Sequence, residues 1–306
     1  MQTTLKSPAK FQGIGLHTGA AVTLVVRPAP AHSGIVFRRV DRDGQGAVLP
    51  AVWDRVTVSP LNTRLVHASG VCVSTIEHVM AALAGTGVHN AFVDIDGPEV
   101  PIMDGSAAGF VRGILDAGLT RQDAPLRAIE ILRDVEVSHG AASARLSPAT
   151  SLQIDFSIDF ADAAIGRQQK TLNLANGTFV RELCDSRTFC RNADVQAMHQ
   201  QGLALGGSLE NAVVVEGDKV LSPGGLRHAD EAVRHKMLDA LGDLYTAGAP
   251  ILGRYTGVRA GHAMTNRLLA AVFADQTAWR YVQCDAQIAA RLPGVGVTQA
   301  DLFAVA

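Results

Sequence analysis

The chain has 306 residues, of which 47% are hydrophobic and 18% are charged, and its formal net charge at pH 7 is -2. This length is sufficient for one large or two medium domains with sizeable cores, and the composition is that of an ordinary globular protein. The small net charge gives no electrostatic reason to expect binding to nucleic acid or to an anionic membrane surface.

The cysteines and the chain's first residues indicate a cellular compartment. The four cysteines form no C-x-x-C pair and have no metal-finger spacing, so reduced thiols are expected. Residues 1–15 lack the apolar region of a signal peptide. The longest apolar runs, such as LLAAVFA at 268–274, are too short to span a bilayer. We therefore expect a cytoplasmic protein.

Residues 2–50 contain short β-rich runs bounded by Gly, Pro and Asp, which predict hairpins. The glycines of GIGLHTG, at 13, 15 and 19, have the wrong spacing for a dinucleotide-binding loop, and a tight turn between strands is favoured. His17 in this turn is either a turn residue or a neighbour of a functional site.

The next segment predicts two strands around RLVHASGVCVS and then a helix. Ser74 and Glu77 form the pattern of a capping box, and Gly85 is the expected end of the helix. Glu77 thus has two interpretations, as a helix cap or as a catalytic carboxylate. A strand at HNAFVDIDG and a helix from about Ser106 to Gly118 are expected to follow.

The polar segment TRQDAPLRAI, around residues 120–129, predicts a linker between domains at 1–121 and 128–306. In the second domain we expect strands at AIEILRDVEVS, ASARLSP and SLQIDFSIDF, followed by an irregular region to about residue 222. A helix over 231–244, the strand ILGRYTG and the helical run TNRLLAAVFAD complete this half.

The two segments EHVMAALAG and RHKMLDALG share a pattern, and a predicted strand follows each of them. This similarity suggests an internal duplication. It predicts that His78 and His235 occupy related places in two similar halves and face each other across the interface.

Within the helix EAVRHKMLDALGDL, His235 and Asp239 are four residues apart and therefore lie on one face. That spacing alone is more typical of a surface pair, so a metal site needs a third ligand, for which His78 is the best candidate. Three ligands leave one coordination position open, as in catalytic zinc sites, where zinc lowers the pKa of a water molecule. Glu77 is placed to act as a general base, and Lys236 could stabilise an oxyanion.

These residues belong to a series of motifs that resembles the zinc-dependent UDP-3-O-acyl-N-acetylglucosamine deacetylases of lipid A synthesis. The matching runs are GIGLHTG, STIEHVMAALAGTG, PEVPIMDGSA, SRTF, GLALGGS, RHKMLDALGDL and GHAMTNRLL, which span residues 13–269 in the family's order. The resemblance implies an α+β fold of two similar halves, each a β-sheet layered against helices. The active site lies between the halves, and the second half carries a small β-α-β insert.

The resemblance also implies the reaction and its residues. Family members remove the N-acetyl group of UDP-3-O-acyl-N-acetylglucosamine, which gives UDP-3-O-acyl-glucosamine and acetate in the committed step of lipid A synthesis. The zinc ligands correspond to His78, His235 and Asp239, with Fe²⁺ as an alternative metal. The general base corresponds to Glu77, and a protonated catalytic histidine corresponds to His262.

Further site residues follow from the same motifs. Thr188 matches a threonine that hydrogen-bonds the oxyanion, Lys236 matches an active-site position, and Asp243 matches one that could fix a histidine tautomer. The insert, at about 188–215, is expected to form a hydrophobic passage for the acyl chain. The expected substrate contacts are Phe189, Val195 and Gly207 in the passage, Arg259 near the diphosphate and Phe160 against uracil. Core packing is the simpler interpretation of the passage residues.

The chain departs from the family pattern at Arg64, where relatives often have a smaller side chain, and at Cys190, where glycine is common. These departures affect the expected acyl-chain length and inhibitor response, but not the expected reaction. There are two alternative functions: a zinc amidase for another N-acyl sugar, and a non-catalytic protein that binds a UDP-sugar or an acyl carrier. Loss of activity should first remove the acid and base, and both Glu77 and His262 are present. We expect a monomer, because no heptad pattern is found.

Overall fold

A computed structural model describes residues 1–44, 46–59 and 61–305 and has the expected mixed α+β fold. The elements of the first half are β1 (Thr3–Leu5), β2 (Ala9–Ile14), β3 (Ala21–Pro28), β4 (Ile35–Arg39), β5 (Val48–Pro50), β6 (Val56–Thr57), β7 (Arg64–Val66), β8 (Cys72–Ser74), α1 (Glu77–Thr86), β9 (Ala91–Ile95), α2 (Ala108–Ala117) and β10 (Leu119–Arg121). A 3-10 turn at Trp53–Arg55 separates β5 from β6.

The elements of the second half are β11 (Arg127–Ile131), β12 (Val135–His139), β13 (Ala142–Pro148), β14 (Gln153–Asp159), β15 (Arg167–Asn173), α3 (Thr178–Glu182), β16 (Phe189–Arg191), α4 (Asn192–Gln200), β17 (Val213–Glu216), β18 (Lys219–Val220), α5 (Glu231–Tyr245), β19 (Ile251–Val258), α6 (His262–Ala274), β20 (Trp279–Gln283) and α7 (Ala286–Ala289). A 3-10 segment, Gln299–Val305, follows α7.

The two halves repeat one topology. In the first half, the hairpin β2–β3 pairs antiparallel with β9, and β9 pairs in parallel with β4 of the hairpin β4–β5. In the second half, the hairpin β12–β13 pairs antiparallel with β19, and β19 pairs in parallel with β14 of the hairpin β14–β15. Each central strand is preceded by one long helix and followed by another, α1 and α2 around β9, α5 and α6 around β19. The internal duplication suggested by the helix sequences is therefore present in the fold.

Alternating side chains give each sheet an apolar face. In β3, Val22, Leu24 and Val26 are buried while the residues between them are more exposed, as expected for strands with one covered face. The long helices lie against such faces. Every residue of α1 is buried, because this helix packs against α2, α3 and α5 at once.

Both halves carry an insert before the first long helix. In the first half it is the three-stranded sheet β6–β7–β8, and in the second half it is the sheet β16–β17–β18 with α4. Strands β16 and β17 are parallel, so the expected β-α-β insert is confirmed. The prediction of an irregular region up to residue 222 is wrong, because this segment contains β15 and α3 in addition to the insert. The sequence of β15, RQQKTLN, is largely polar, and its strand therefore left no hydrophobic pattern.

The predicted start and end of α1 are also wrong. Ser74 lies in β8, and no side chain caps the N-terminus of α1. Gly85 is a buried helical residue, and a Cβ there would lie 2.0 Å from the ring of Phe179. The helix ends instead at Gly87, which adopts the left-handed conformation with φ 75°.

The predicted linker is shorter than expected, since only residues 122–126 lie outside β10 and β11. Strand β10 pairs with β1 and so closes the first half. The domain boundaries at 121 and 128 stay a prediction. Among the described residues, no helix combines the length and the apolar character needed to cross a membrane.

Candidate metal centre and active site

His78, His235 and Asp239 meet where α1 packs against α5. Each of the three is buried and offers one potential ligand atom, and these atoms lie within 4.8 Å of one another. The imidazole rings of His78 and His235 are nearly perpendicular, with centroids 5.0 Å apart. The two histidines thus face each other across the interface between the halves, as the shared sequence pattern predicts.

The donor atoms fit a divalent cation. His235 Nδ1 lies 3.0 Å from the carbonyl oxygen of Ser186, and because a carbonyl only accepts, Nδ1 carries a proton. In the neutral ring the lone pair is then on Nε2, which lies 3.2 Å from Asp239 Oδ1. Asp239 Oδ1 is buried and receives no hydrogen bond from any described residue. Two unpaired acceptor atoms at this distance repel unless a cation lies between them.

Lys236 holds the other oxygen of the same carboxylate. Its Nζ donates to Asp239 Oδ2 at 2.6 Å. Burial lowers the pKa of Lys236, but the Asp239 carboxylate outweighs it and raises the pKa above the ordinary value. Lys236 is therefore an ammonium cation that is paired with the Asp239 carboxylate.

Glu77 and His262 stand beside the three candidate ligands. His262 Nε2 lies 3.7 Å from Glu77 Oε1 and 3.7 Å from Asp239 Oδ2. Glu77 Oε2 accepts the backbone N–H of Thr63 at 3.0 Å. His262 Nδ1 donates to Asp243, whose carboxylate oxygens lie at 3.0 and 3.2 Å, so Nε2 is the nitrogen that faces the centre.

The pKa values of this pair are shifted in a way that suits proton transfer. Burial raises the pKa of Glu77 to about 7. Burial alone would lower the pKa of His262, but Asp243, Glu77 and Asp239 outweigh it and raise the pKa to about 9. Between these values Glu77 is a carboxylate and His262 an imidazolium, so one can accept a proton while the other donates one.

His17 is both a turn residue and a neighbour of this centre. Gly19, with φ 65°, closes the turn that joins β2 to β3, and its N–H donates to Gly15. The His17 ring is buried, and neither ring nitrogen has a partner among the described residues. The pKa of His17 is lowered, first by burial and further by nearby His262, while the Glu99 carboxylate acts in the opposite direction. Glu99 anchors the turn by accepting the backbone N–H groups of His17 and Thr18.

The segment that contains Thr188 is fixed by a buried ion pair. Arg187 donates to both oxygens of Glu231, with Nε at 2.9 Å and Nη2 at 3.1 Å. The backbone N–H of Arg187 also donates to Glu231, and the backbone of Thr188 pairs with Gly105 and Val213. This pairing sets the Ser186 carbonyl against His235 and leaves the Thr188 side chain half-buried.

The residues expected to contact the acyl chain lie on the second half's insert. Phe189, on β16, packs its ring 5.3 Å from Phe160 and 6.3 Å from His235. Val195 is half-buried on α4. Gly207 is exposed in a loop that contacts the GIGLHTG turn. Phe189 therefore borders the centre directly, whereas Val195 and Gly207 lie further along the insert.

Phe160 and Arg259 directly follow the C-terminal ends of β14 and β19, which are parallel neighbours in the second sheet. Arg259 is half-exposed, pairs with Asp159 and has φ 48°, a strained value for a residue other than glycine. Its backbone N–H donates to the carbonyl of Ser157. Phe160 follows Asp159 and is half-buried against Phe189.

The two departures from the family pattern have ordinary contacts. Arg64 is exposed on β7, and its guanidinium contacts the sulfur of Cys72. Burial raises the pKa of Cys190 to about 11, so its thiol stays protonated and poorly nucleophilic near neutral pH.

Several residues around the centre were not expected from the sequence, namely Thr63, Glu99, Ser186, Arg187 and Glu231. Glu99, Ser186 and Arg187 belong to runs that carry the resemblance, PEVPIMDGSA and SRTF. Thr63 and Glu231 lie outside those runs, and no sequence signal marks them.

Comparison with known proteins gives a consistent result. A family model described as UDP-3-O-acyl N-acetylglycosamine deacetylase matches residues 2–274. The chain is 50% identical over 279 residues to the UDP-3-O-acyl-N-acetylglucosamine deacetylase of Phenylobacterium zucineum, which covers 91% of this chain and 95% of that protein. It is 43% identical over 299 residues to the protein of the same name from Shewanella oneidensis, covering 96% of this chain and 97% of the relative.

Proposed function

The chain belongs to the UDP-3-O-acyl-N-acetylglucosamine deacetylase family, and from this premise we propose that it hydrolyses the N-acetyl group of UDP-3-O-acyl-N-acetylglucosamine. The products are UDP-3-O-acyl-glucosamine and acetate, and the reaction is the committed step of lipid A synthesis. The enzyme is a hydrolase that acts on an amide. The observation that carries the proposal is the buried cluster of His78, His235 and Asp239 with Glu77 and His262 beside it.

We propose that His78, His235 and Asp239 hold the metal. Two imidazole nitrogens and one carboxylate oxygen suit zinc, and iron(II) binds similar donor sets. When bound, the metal supplies Lewis-acid polarisation of the amide carbonyl and a lower pKa for the attacking water. Metal analysis of protein purified without oxygen distinguishes zinc from iron.

Glu77 and His262 perform the proton transfers. Glu77 takes a proton from water as the water oxygen forms a bond to the acetyl carbonyl carbon. The imidazolium of His262 gives a proton to the amide nitrogen as the C–N bond breaks, so the amine leaves neutral and acetate is formed. Asp243 keeps His262 Nε2 directed at the reacting atoms, since it accepts from Nδ1 at 3.0 Å.

Thr188 and Lys236 support the developing negative charge. The hydroxyl of Thr188 donates to the oxyanion, and the fixed backbone on both sides of Thr188 limits its movement. Lys236 acts mainly through Asp239, because its ammonium group already donates to that carboxylate.

The substrate's other parts are assigned to the second half. Phe189, Val195 and Gly207 line the acyl passage, with Phe189 nearest the centre. Phe160 stacks on uracil. Arg259 leaves its ion pair with Asp159 and pairs with the diphosphate instead. A cytoplasmic monomer is proposed, and size-exclusion chromatography with light scattering tests the oligomeric state.

The proposal is tested by following acetate release from UDP-3-O-acyl-N-acetylglucosamine before chelation, after chelation and after zinc is restored. We expect turnover to be lost on chelation and recovered with zinc. Equal activity on the free N-acetyl sugar would indicate an amidase for another N-acyl sugar. A protein that keeps zinc and leaves every substrate intact would indicate a binding protein.

A further inference from the structure

Thr63 contacts Glu77, the proposed base, and Asp243, the carboxylate that accepts from the proposed acid His262. It lies in the loop just before β7 and is fully buried, with 0% of its surface exposed. Its backbone N–H donates to Glu77 Oε2 at 3.0 Å, and its hydroxyl donates to Asp243 Oδ1 at 2.5 Å. Glu77 belongs to the first half and Asp243 to the second, so Thr63 connects the two halves beside the candidate metal centre.

The direction of the hydroxyl proton is fixed by its neighbours. Asp243 as a carboxylate can only accept, so the Thr63 hydroxyl must donate to it. Asn266 Nδ2, on α6, lies 3.3 Å from Thr63 Oγ1 and supplies a donor to the oxygen's lone pair. A chain of hydrogen bonds therefore runs from Asn266 through Thr63 to Asp243, which also accepts from His262. The donor and the acceptor of each bond in this chain are fixed.

This chain of hydrogen bonds controls where His262 points. Asp243 receives the Thr63 hydroxyl on Oδ1 and the His262 Nδ1–H on both oxygens, so its carboxylate cannot rotate without breaking a bond. The backbone N–H of Thr63 holds Glu77 Oε2 and leaves Oε1 toward His262 Nε2 at 3.7 Å. Thr63 thereby sets the position of Glu77, the proposed base, and of Asp243, the hydrogen-bond partner of the proposed acid His262.

Building on the proposed deacetylase function, we propose that Thr63 is a positioning residue that fixes the spacing between Glu77 and His262. Its side-chain and backbone N–H hydrogen bonds go to Asp243, Asn266 and Glu77, and none of these is a candidate metal ligand. Its hydroxyl therefore acts on the chemical step and not on metal or substrate binding. Catalytic groups must be held within about 0.5 Å of their productive positions, and a misplacement of about 1 Å can lower a rate by about 10²-fold.

The test compares Thr63→Val, which removes the hydroxyl and keeps the shape and the backbone N–H, with Thr63→Ser, which keeps the hydroxyl. Thr86→Val is the matched control, because Thr86 is equally buried and its hydroxyl donates to Ala82 within the same helix as Glu77. We expect kcat of Thr63→Val to fall about tenfold or more, the effect of one hydrogen bond to a charged group. KM and bound zinc should stay as in the wild type, and Thr63→Ser should recover most of kcat.

A second readout does not depend on turnover. The Nδ1–H proton of His262 should give a downfield proton NMR signal in the wild type, in Thr63→Ser and in Thr86→Val. In Thr63→Val this signal should shift or broaden, because Asp243 is no longer held. If the valine variant does not fold, Thr63→Ala supplies the same comparison without a larger apolar group.

The outcomes separate this inference from the function on which it rests. Wild-type protein that keeps zinc but releases no acetate would contradict the deacetylase function itself. An active wild type with a Thr63→Val variant as fast as Thr86→Val would overturn the positioning role. A Thr63→Val variant that loses zinc, or changes only KM, would also overturn it, since the hydroxyl would then serve metal or substrate binding.

Discussion

At the scale of single residues, the shifted pKa values of Glu77 and His262 determine how activity depends on pH. As the proposed base, Glu77 works only as a carboxylate, so the rate should rise as pH passes the pKa of Glu77, about 7. As the proposed acid, His262 works only when protonated, so the rate should fall as pH passes the pKa of His262, about 9. A divalent cation bound at the candidate centre should move both limbs to lower pH, because its charge favours the deprotonated forms.

We therefore expect a bell-shaped profile of kcat/KM, measured by acetate release across this range. The two apparent values belong to the coupled pair, because the groups are 3.7 Å apart. A rate that keeps increasing through the alkaline limb would mean that His262 works in its neutral form.

Replacement of the base separates proton transfer from metal binding. Glu77→Gln keeps the size of the side chain but removes the proton acceptor, so kcat should fall by roughly 10²–10⁴-fold. Bound zinc should be unchanged, because Glu77 is not among the candidate ligands. Acetate release and metal analysis on the same sample measure both quantities.

Glu130→Gln, on the exposed pair of Glu130 with Arg280, is the matched control and should be fully active. A Glu77→Gln variant without zinc would instead make Glu77 a ligand, and the assignment of the base would be wrong.

At the scale of elements, the centre depends on how closely α1 and α5 approach each other. Gly242 of α5 lies against the backbone of α1, and a Cβ there would be 2.0 Å from the carbonyl oxygen of Glu77. Backbone cannot move aside as a flexible side chain can. Gly242→Ala should therefore separate the helices, weaken zinc binding and destabilise the fold by about 1–3 kcal/mol or more.

Gly109→Ala in α2 makes the same substitution where a Cβ meets only the Met103 side chain, at 3.4 Å. That variant should be as stable as the wild type or slightly more stable, because alanine favours helix. Denaturant unfolding and zinc titration of the two variants test the prediction. Equal stabilities would show that α1 and α5 can separate without cost.

Periodicity predicts the long helices well, including both ends of α5, but the local end signals fail for α1. Helix α5 begins at the predicted residue and ends one residue later, at Tyr245, because its apolar spacing is regular. The separation of Ser74 and Glu77 in the sequence predicts a capping box at the start of α1. In the fold, β8 holds Ser74, and Glu77 turns its carboxylate to Thr63. Tertiary hydrogen bonds outweighed the local pattern there.

At the scale of the whole molecule, the duplication explains both what the sequence predicted and what it could not. One helix before each central strand carries one histidine of the centre, so the shared pattern of EHVMAALAG and RHKMLDALG predicted that His78 and His235 would meet. The residues that support them come from loops with no repeated pattern. The bond from Thr63 to Asp243 spans 180 residues, and no local spacing encodes such a contact.

Because α1 supplies one candidate ligand and α5 supplies two, a bound metal should link the halves and stabilise the whole fold. A ligand that binds only the folded state adds about 2.7 kcal/mol at a concentration 100 times its Kd. Chelation should therefore lower the melting temperature by a few degrees, and added zinc should restore it. His235→Ala should abolish this zinc-dependent shift, whereas His139→Ala, at an exposed position, should keep it. If zinc raised the melting temperature of His235→Ala as much as that of the wild type, its binding site would lie elsewhere, and the interface between α1 and α5 would not be the metal centre.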